Sequence, residues 1–320
     1  MSPVFRIVLF GHPVGHSRSV EMFRHWSEQG GPSLSYEALD VRREELAAAV
    51  ARLRGGEWDG ANVTIPHKQA LLDLLDETDP IAVRAGAVNV IVREAASEDG
   101  GCLARISDVS RGSGSSRVET EPRDTEPPGA TPTPARLHGA NTDGAGLLAG
   151  CERWLGAPLP QGETVILGAG GAARGVAAAL AAGGSRLSIV SRDPTRAKNA
   201  FEGRAHVFAS WREEEIRPLL ETAALIVQAT PLGMEPHPEA LPTLPYDALR
   251  PDQVAVDLVY RPWETRFLRE VRRRGLTALN GWPMLVHQAA LAAGLWFGES
   301  LGESFLTAAA TLETRDPRVG

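Results

Sequence analysis

Lys68 and Asp143 are the ionisable side chains of this sequence best placed for proton transfer, because each stands in a polar cluster where an apolar, strand-like run ends. Open α/β sheets put their sites at such strand ends. Lys68 closes Asn62-Val63-Thr64-Ile65-Pro66-His67-Lys68, where a strand stops at Pro66 and a helix is expected over 67–76. A lysine in the first turn of a helix meets an unfavourable field, which favours loss of its proton and suits acid/base work. A solvated lysine is the plainer alternative. Asp143 lies in Asn141-Thr142-Asp143-Gly144, again at a strand-to-helix junction, as a helix cap or as a catalytic carboxylate. A third cluster, Gly11-His12-Pro13-Val14-Gly15-His16-Ser17-Arg18-Ser19, ends in two serines suited to a carboxylate ligand or to a helix N-cap. His12 and His16 are four apart, but Pro13 and Gly15 preclude the helix that would make them a zinc pair.

A different chemistry is written in Gly168-Ala169-Gly170-Gly171-Ala172-Ala173, which follows an apolar run and opens an alanine-rich one. In the G-x-G-x-x-[G/A] arrangement the first glycine permits a tight turn and the second lets a pyrophosphate reach the backbone. The third small residue, here Ala173, keeps helix and strand close. Strand, turn, helix and next strand fall in order, which is the context that makes the pattern a dinucleotide site. An NAD site normally carries an acidic residue at the end of the second strand. Ser191 stands there, followed by Arg192-Asp193-Pro194-Thr195-Arg196, so two arginines and no strand-end carboxylate point to the 2′-phosphate of NADP. Asp193 between them works the other way, by pairing with an arginine or by accepting from a ribose hydroxyl.

Two rounds of strand–helix alternation would hold these groups. In the first half, strands are expected at 4–10, 36–41, 60–65 and 88–94, with helices over 17–29, 43–54 and 67–76. A linking helix carries Leu147-Leu148 to Trp154-Leu155. The second half repeats the pattern with strands at 164–167, 187–190, 224–227 and 254–257 and a helix from the glycine turn to about 182. Pro262 reads as a first-turn proline for a helix whose apolar face is Trp263, Phe267, Leu268 and Val271. Arg272-Arg273-Arg274 before Gly275 reads as its solvated last turn. Final helices are expected over 283–297 and 302–313. From Asp108 to Arg136, 16 of 29 residues are Pro, Gly, Ser or Thr, too few apolar groups to offset ordering, so this is expected to be a disordered insertion.

The formal charge of −7 argues against a nucleic-acid partner. Cys102 and Cys151 lie far apart with no C-x-x-C, which excludes a disulfide framework and fits a reducing cytoplasm. No apolar run reaches the ~18 residues of a membrane span, and the N-terminus opens on a strand-like run instead of an export leader.

Eight ordered segments resemble the shikimate dehydrogenase family from about residue 4 to 313: Gly11–Ser19, Ala61–Lys68, Ala85–Asn89, Asn141–Gly144, Gly168–Arg174, Ala229–Met234, Asp257–Tyr260 and Met284–Ala289. The resemblance implies an α/β protein with a cleft between two domains, and NADP-dependent reduction of 3-dehydroshikimate to shikimate. It implies a substrate-binding and catalytic domain over 1–143, to which 282–320 returns, and a Rossmann NADP-binding domain over 144–281. Lys68 and Asp143 would be the catalytic pair. Ser17, Ser19 and Tyr260 would hold the substrate carboxylate, and Thr64, Asn89 and Gln288 its ring hydroxyls. Gly168, Ala169, Gly170, Gly171, Ala172 and Ala173 with Ser191, Arg192 and Arg196 would bind NADP, and Thr230, Gly281 and Met284 would line the nicotinamide side. Read without the resemblance, Asn89 is a turn residue, Tyr260 a core residue and Gln288 a helix-surface residue. The chain departs from the family at Val20, where proline is usual, at Met22-Phe23-Arg24, where a histidine is expected, and at Gln228, where asparagine usually precedes Ala-Thr. The alternatives are a dehydrogenase that also takes quinate and a ligand sensor that has lost turnover. The expected partners are a small-molecule substrate and, for assembly, none or a second copy; a metal is not expected.

Overall fold

The computed structural model describes residues 4–15, 17–94 and 135–313, so most of the expected insertion lies outside the described residues. Its expected end is two residues too late, because Ala135 is buried and Arg136 opens a strand.

The first sheet holds β1 (Phe5–Gly11), β2 (Leu34–Asp40), β3 (Gly60–Val63), β4 (Glu77–Thr78), β5 (Val90–Glu94) and β6 (Arg136–Ala140), in the order β2-β1-β3-β5-β6-β4. It is mixed, where the alternation alone leads one to expect parallel strands: β5 runs antiparallel to both β3 and β6. The cause is the short α3 (Pro80–Ala85), which follows β4. A parallel return needs a crossover of a dozen or more residues. Six helical residues advance only about 9 Å, so the chain re-enters the sheet at the edge where it left and must run the other way.

The second sheet is fully parallel: β7 (Glu163–Leu167), β8 (Arg186–Val190), β9 (Val207–Ala209), β10 (Leu225–Gln228), β11 (Val254–Asp257) and β12 (Thr277–Leu279), in the order β12-β11-β10-β7-β8-β9. Read from β9, this is the doubly wound order 3-2-1-4-5-6, whose direction reverses between β7 and β10. The short β4, β9 and β12 and the polar β6 lack the apolar runs by which the other strands are legible.

Helices α1 (Ser19–Glu28), α9 (Trp282–Phe297) and α10 (Glu299–Glu313) cover one face of the first sheet. There Ile7, Leu9, Phe23, Trp26, Trp282 and Phe305 form one cluster. The other face packs on α2 (Leu46–Arg54) through Val8, Phe10, Leu53 and Trp58. In the second sheet, α4 (Asp143–Leu155), α5 (Gly171–Ala182) and α6 (Pro194–Ala200) cover one face, and α7 (Glu213–Thr222) and α8 (Arg266–Arg272) the other. The C-terminal helices therefore pack on the N-terminal sheet.

Two helix expectations fail. Residues 67–76 form turns and a 3-10 turn, Leu72–Leu74, instead of a helix. The carbonyl of Lys68, which a helix would use internally, accepts from Val88 N at 2.7 Å. Asp76 is likewise drawn out of helical geometry, accepting from Leu137 N at 2.7 Å. The helix after Pro262 begins at Arg266, because Thr265 caps it by accepting from Leu268 N at 3.2 Å. Pro262 and Trp263 lie outside it.

Candidate active site

Lys68 and Asp143 meet at the edge of the first sheet, Nζ to Oδ2 at 2.6 Å, with side-chain exposures of 12% and 4%. No helix starts at Lys68, so it meets this carboxylate and not a helix terminus. Asp143 is the first residue of α4 and not its cap, a position taken by Thr142. Its other oxygen accepts from Asn89 Nδ2 at 2.9 Å. Asn89 is buried just before β5, and it orients the junction: its Oδ1 accepts from Thr142 N at 2.8 Å, and its Nδ2 also reaches Thr142 Oγ1 at 3.0 Å and Gln288 Oε1 at 3.3 Å. Asn89 and Gln288 are thus members of one connected cluster.

Glycine lets the elements come this close. A Cβ on Gly146 would stand 2.6 Å from the backbone N of Gln288, so α9 can lie against α4 only because α4 is bare there. A Cβ on Gly175 would stand 2.7 Å from Asn141 Oδ1 and 3.0 Å from Asp143 Cβ, so α5 also rests on the junction. Lys68 in turn lies on the glycine turn, with its Cβ 3.1 Å from where a Cβ of Gly171 would be.

Beside the pair, Thr64 follows β3 and is fixed by its N–H to Phe10 O at 2.9 Å. Ser17 and Ser19 follow β1, linked by Ser19 N to Ser17 Oγ at 3.3 Å. Tyr260, half-buried, lies near Ser17 and the Arg18 backbone, whose polar groups work against the effect of its burial. Burial pushes the phenols of Tyr260 and of Tyr36, which interacts with Ser19, upward, so both stay neutral. Hydroxyl groups of this kind suit a carboxylate ligand. Arg18 points its charge elsewhere, pairing with Glu21 at 2.9 Å and stacking on Trp282 at 4.6 Å. Sequence reasoning missed Tyr36 and Asn62, which are joined by Tyr36 Oη donating to Asn62 Oδ1 at 2.8 Å, while Asn62 Nδ2 donates to Asn89 O at 3.2 Å. Asn62 stood inside a quoted cluster. Tyr36 carried no signal beyond a buried strand position.

The glycine turn sits at the β7–β10 reversal. Gly168 has φ +114°, and a Cβ there would come within 3.0 Å of Ala229 O and Thr230 Cγ2, so only glycine fits. Above Gly170 a Cβ would meet nothing within 4 Å, which leaves the backbone open to a ligand. Ala169 and Ala172 flank this opening, and Ala173 is fully buried against the sheet. Ser191 follows β8 with a buried hydroxyl that has no partner among the described residues. Arg192 and Arg196 are exposed and form no ion pair among the described residues. Asp193 is the N-cap of α6 and accepts from Arg196 N at 2.9 Å, so its carboxylate is occupied by the backbone. Arg174 approaches the same corner, its buried Nε without a partner among the described residues. Burial, and secondarily Arg196, holds its guanidinium below the usual arginine range. Cations collected around orphaned donors fit a phosphate-bearing dinucleotide. Of the remaining expected residues, Thr230 abuts Gly168, Gly281 precedes α9, and Met284 packs into the core with Leu147 and Ile166.

The family model described as shikimate dehydrogenase substrate binding domain matches residues 9–91. Shikimate dehydrogenase (NADP(+)) of Moorella thermoacetica is 40% identical over 299 residues, 91% of this chain and 88% of the relative. The solved shikimate 5-dehydrogenase of Thermus thermophilus, in complex with NADP(H) and shikimate, is 34% identical with a TM-score of 0.69, covering 95% of this chain and 100% of that one. The ligand-free 5-ketofructose reductase of a Gluconobacter species has the same fold, 26% identical with a TM-score of 0.71, covering 98% and 100%.

Proposed function

The chain belongs to the shikimate dehydrogenase family, and from that premise we propose that it reduces 3-dehydroshikimate reversibly to shikimate with NADPH. The observation that carries this reading is the Lys68–Asp143 contact at 2.6 Å, locked by Asn89 and laid directly on the phosphate-binding turn.

NADPH, when bound, supplies a hydride to the ketone carbon of the substrate. As that carbon accepts it, the carbonyl oxygen becomes an alkoxide and takes a proton from the Lys68 ammonium. Asp143 keeps the ammonium oriented and accepts a hydrogen bond from the new hydroxyl; in the oxidative direction the same proton returns to Lys68. Ser17, Ser19 and Tyr260 hold the ring carboxylate, and Thr64, Asn89 and Gln288 bind ring hydroxyls. Gly168–Ala173 would receive the pyrophosphate, and Ser191, Arg192 and Arg196 the 2′-phosphate. Thr230, Gly281 and Met284 lie toward the nicotinamide.

We assign substrate binding and catalysis to residues 1–143 with 282–320, and cofactor binding to 144–281. Every group invoked comes from one chain, so a monomer or a homodimer serves equally. Among the described residues no helix is long and apolar enough to cross a membrane, and a cytoplasmic enzyme is the reading we favour. The sensor alternative is not favoured because the reacting pair is intact, and the quinate alternative because the curated relatives are named for shikimate. Initial rates with shikimate and quinate, each with NADP and NAD, test the assignment: shikimate with NADP should win, and absence of shikimate turnover would refute it.

A further inference from the structure

Gln228 ends β10 and Asp257 ends β11, opposite one another in register, and both are fully buried. A buried amide and a buried carboxyl are costly unless their hydrogen-bonding positions are filled. Here they are filled almost entirely by the two loops that leave the strands. Gln228 Nε2 donates to Thr230 O and Leu232 O, both at 3.1 Å, and to Asp257 Oδ1 at 3.3 Å. Its Oε1 accepts from Thr230 N at 2.6 Å and Thr230 Oγ1 at 2.7 Å. Asp257 Oδ1 also accepts from Val259 N at 3.0 Å, and Oδ2 from Thr265 Oγ1 at 2.6 Å.

Thr230 abuts the glycine turn. Val259, whose carbonyl accepts from Gly281 N at 3.1 Å, precedes Tyr260, which lies near Ser17. We propose that Gln228 and Asp257 are positioning residues that fix the cofactor-side loop 229–232 and the substrate-carboxylate loop 258–260 as one unit, so that disturbing either residue weakens both ligands. An asparagine at 228 is one methylene shorter and cannot span Thr230, Leu232 and Asp257 together.

The clamp carries a pH dependence. Burial pushes the Asp257 carboxyl up to about 7, against the lowering effect of Thr265, Val259 N–H and Gln228. The titratable group that senses its charge is the Tyr246 phenol, which is itself pushed upward by burial and stays neutral in this range. Below about 7 the protonated carboxyl places no charge in the buried site and the loops stay closed. Above it the ionised carboxylate is better solvated when the loops part, so both loops loosen as pH rises.

This rests on the proposed function, which wild-type turnover of shikimate tests separately. The test compares wild type, Gln228→Asn and Asp257→Asn by KM for shikimate and NADP, kcat, and NADPH affinity from tryptophan quenching, between pH 6 and 8. Gln228→Asn should raise KM for both ligands about fivefold and weaken NADPH binding similarly, with kcat changed less than threefold. Asp257→Asn, which cannot ionise, should flatten the part of the KM profile that wild type shows around pH 7. If an Asp257 variant fails to fold, the joint weakening in Gln228→Asn still decides. Wild-type affinities in Gln228→Asn, or weakening of one ligand alone, overturn the proposal, as does an unaltered pH profile in a folded Asp257→Asn.

Discussion

Replacing Lys68 by alanine separates the two roles of its ion pair. At 2.6 Å and an effective dielectric of about 20, the Coulomb attraction between the charges is ~6 kcal/mol. Most of that is returned as desolvation, and stranding one member of a buried pair typically costs ~3–5 kcal/mol. Asp143 would not be fully stranded. It keeps Asn89 Nδ2 at 2.9 Å and its place in the first turn of α4, supports worth about 1 kcal/mol each. The net loss should be about 2 kcal/mol, or about 5 °C in Tm. The rate should suffer far more, because no other ammonium lies within reach of the Asp143 carboxylate among the described residues. Loss of a general acid lowers kcat by ~100-fold or more, with KM for shikimate little changed. Steady-state kinetics at saturating NADP and thermal melts by circular dichroism measure the two quantities independently. A folded Lys68→Ala enzyme keeping more than about a tenth of wild-type kcat would refute the proton-transfer role.

Arg192→Ala should raise KM for NADP about tenfold and leave KM for NAD nearly as it was; equal use of both cofactors by the unmodified enzyme would contradict the arginine assignment. Asp193→Thr should widen the preference for NADP while leaving Tm within a few degrees, since threonine also caps a helix, and a large drop in Tm would show that the carboxylate itself is needed. Gly175→Ala gains about 1 kcal/mol of helix propensity but forces a clash with Asn141 and Asp143 costing ~1–3 kcal/mol; urea melts should show a net loss and kcat a fall of about tenfold, and a more stable, fully active variant would be the contrary result. Asp257 holds its proton in the folded state up to about 7, well above an unfolded aspartate, so its contribution to stability is full below the unfolded value and lost as pH rises through about 7. That is ~4 kcal/mol over the interval, and urea midpoints of wild type and Asp257→Asn should converge at low pH and separate above neutrality, parallel curves being the refuting outcome.

What the sequence made legible follows from how local the cause was. The glycine turn, the alanine-rich helix behind it and the strands on either side of it, β7 and β8, are dictated by one local run of sequence, and they lie where expected. The helix expected over 67–76 did not form, because the decisive bonds reach Val88 and Leu137, which no local pattern reveals. The same holds at the site. Lys68 and Asp143 could be singled out from junction position, but their contact spans 75 residues and Gln288 joins from 199 residues beyond Asn89. Asp193 was ambiguous in sequence because its cap bond depends on where α6 begins. Tyr36 was invisible because a strand position facing a core and one facing a ligand read alike.

The bare face of α5 also acts as a spacer of fixed thickness. Gly171 meets Lys68, Gly175 meets Asn141 and Asp143, and Ala178 packs with Ala85 and Ala87, so residues with little or no side chain separate Lys68, Asn141 and Asp143 from the helix that carries the glycine turn. A methyl added at Gly175, away from the glycine turn, would therefore act as a shim, widening this seam by a fraction of an ångström. Adjusting the spacing of the two sheets should begin there, where gauge can be tuned one carbon at a time while Lys68 and Asp143 stay the same.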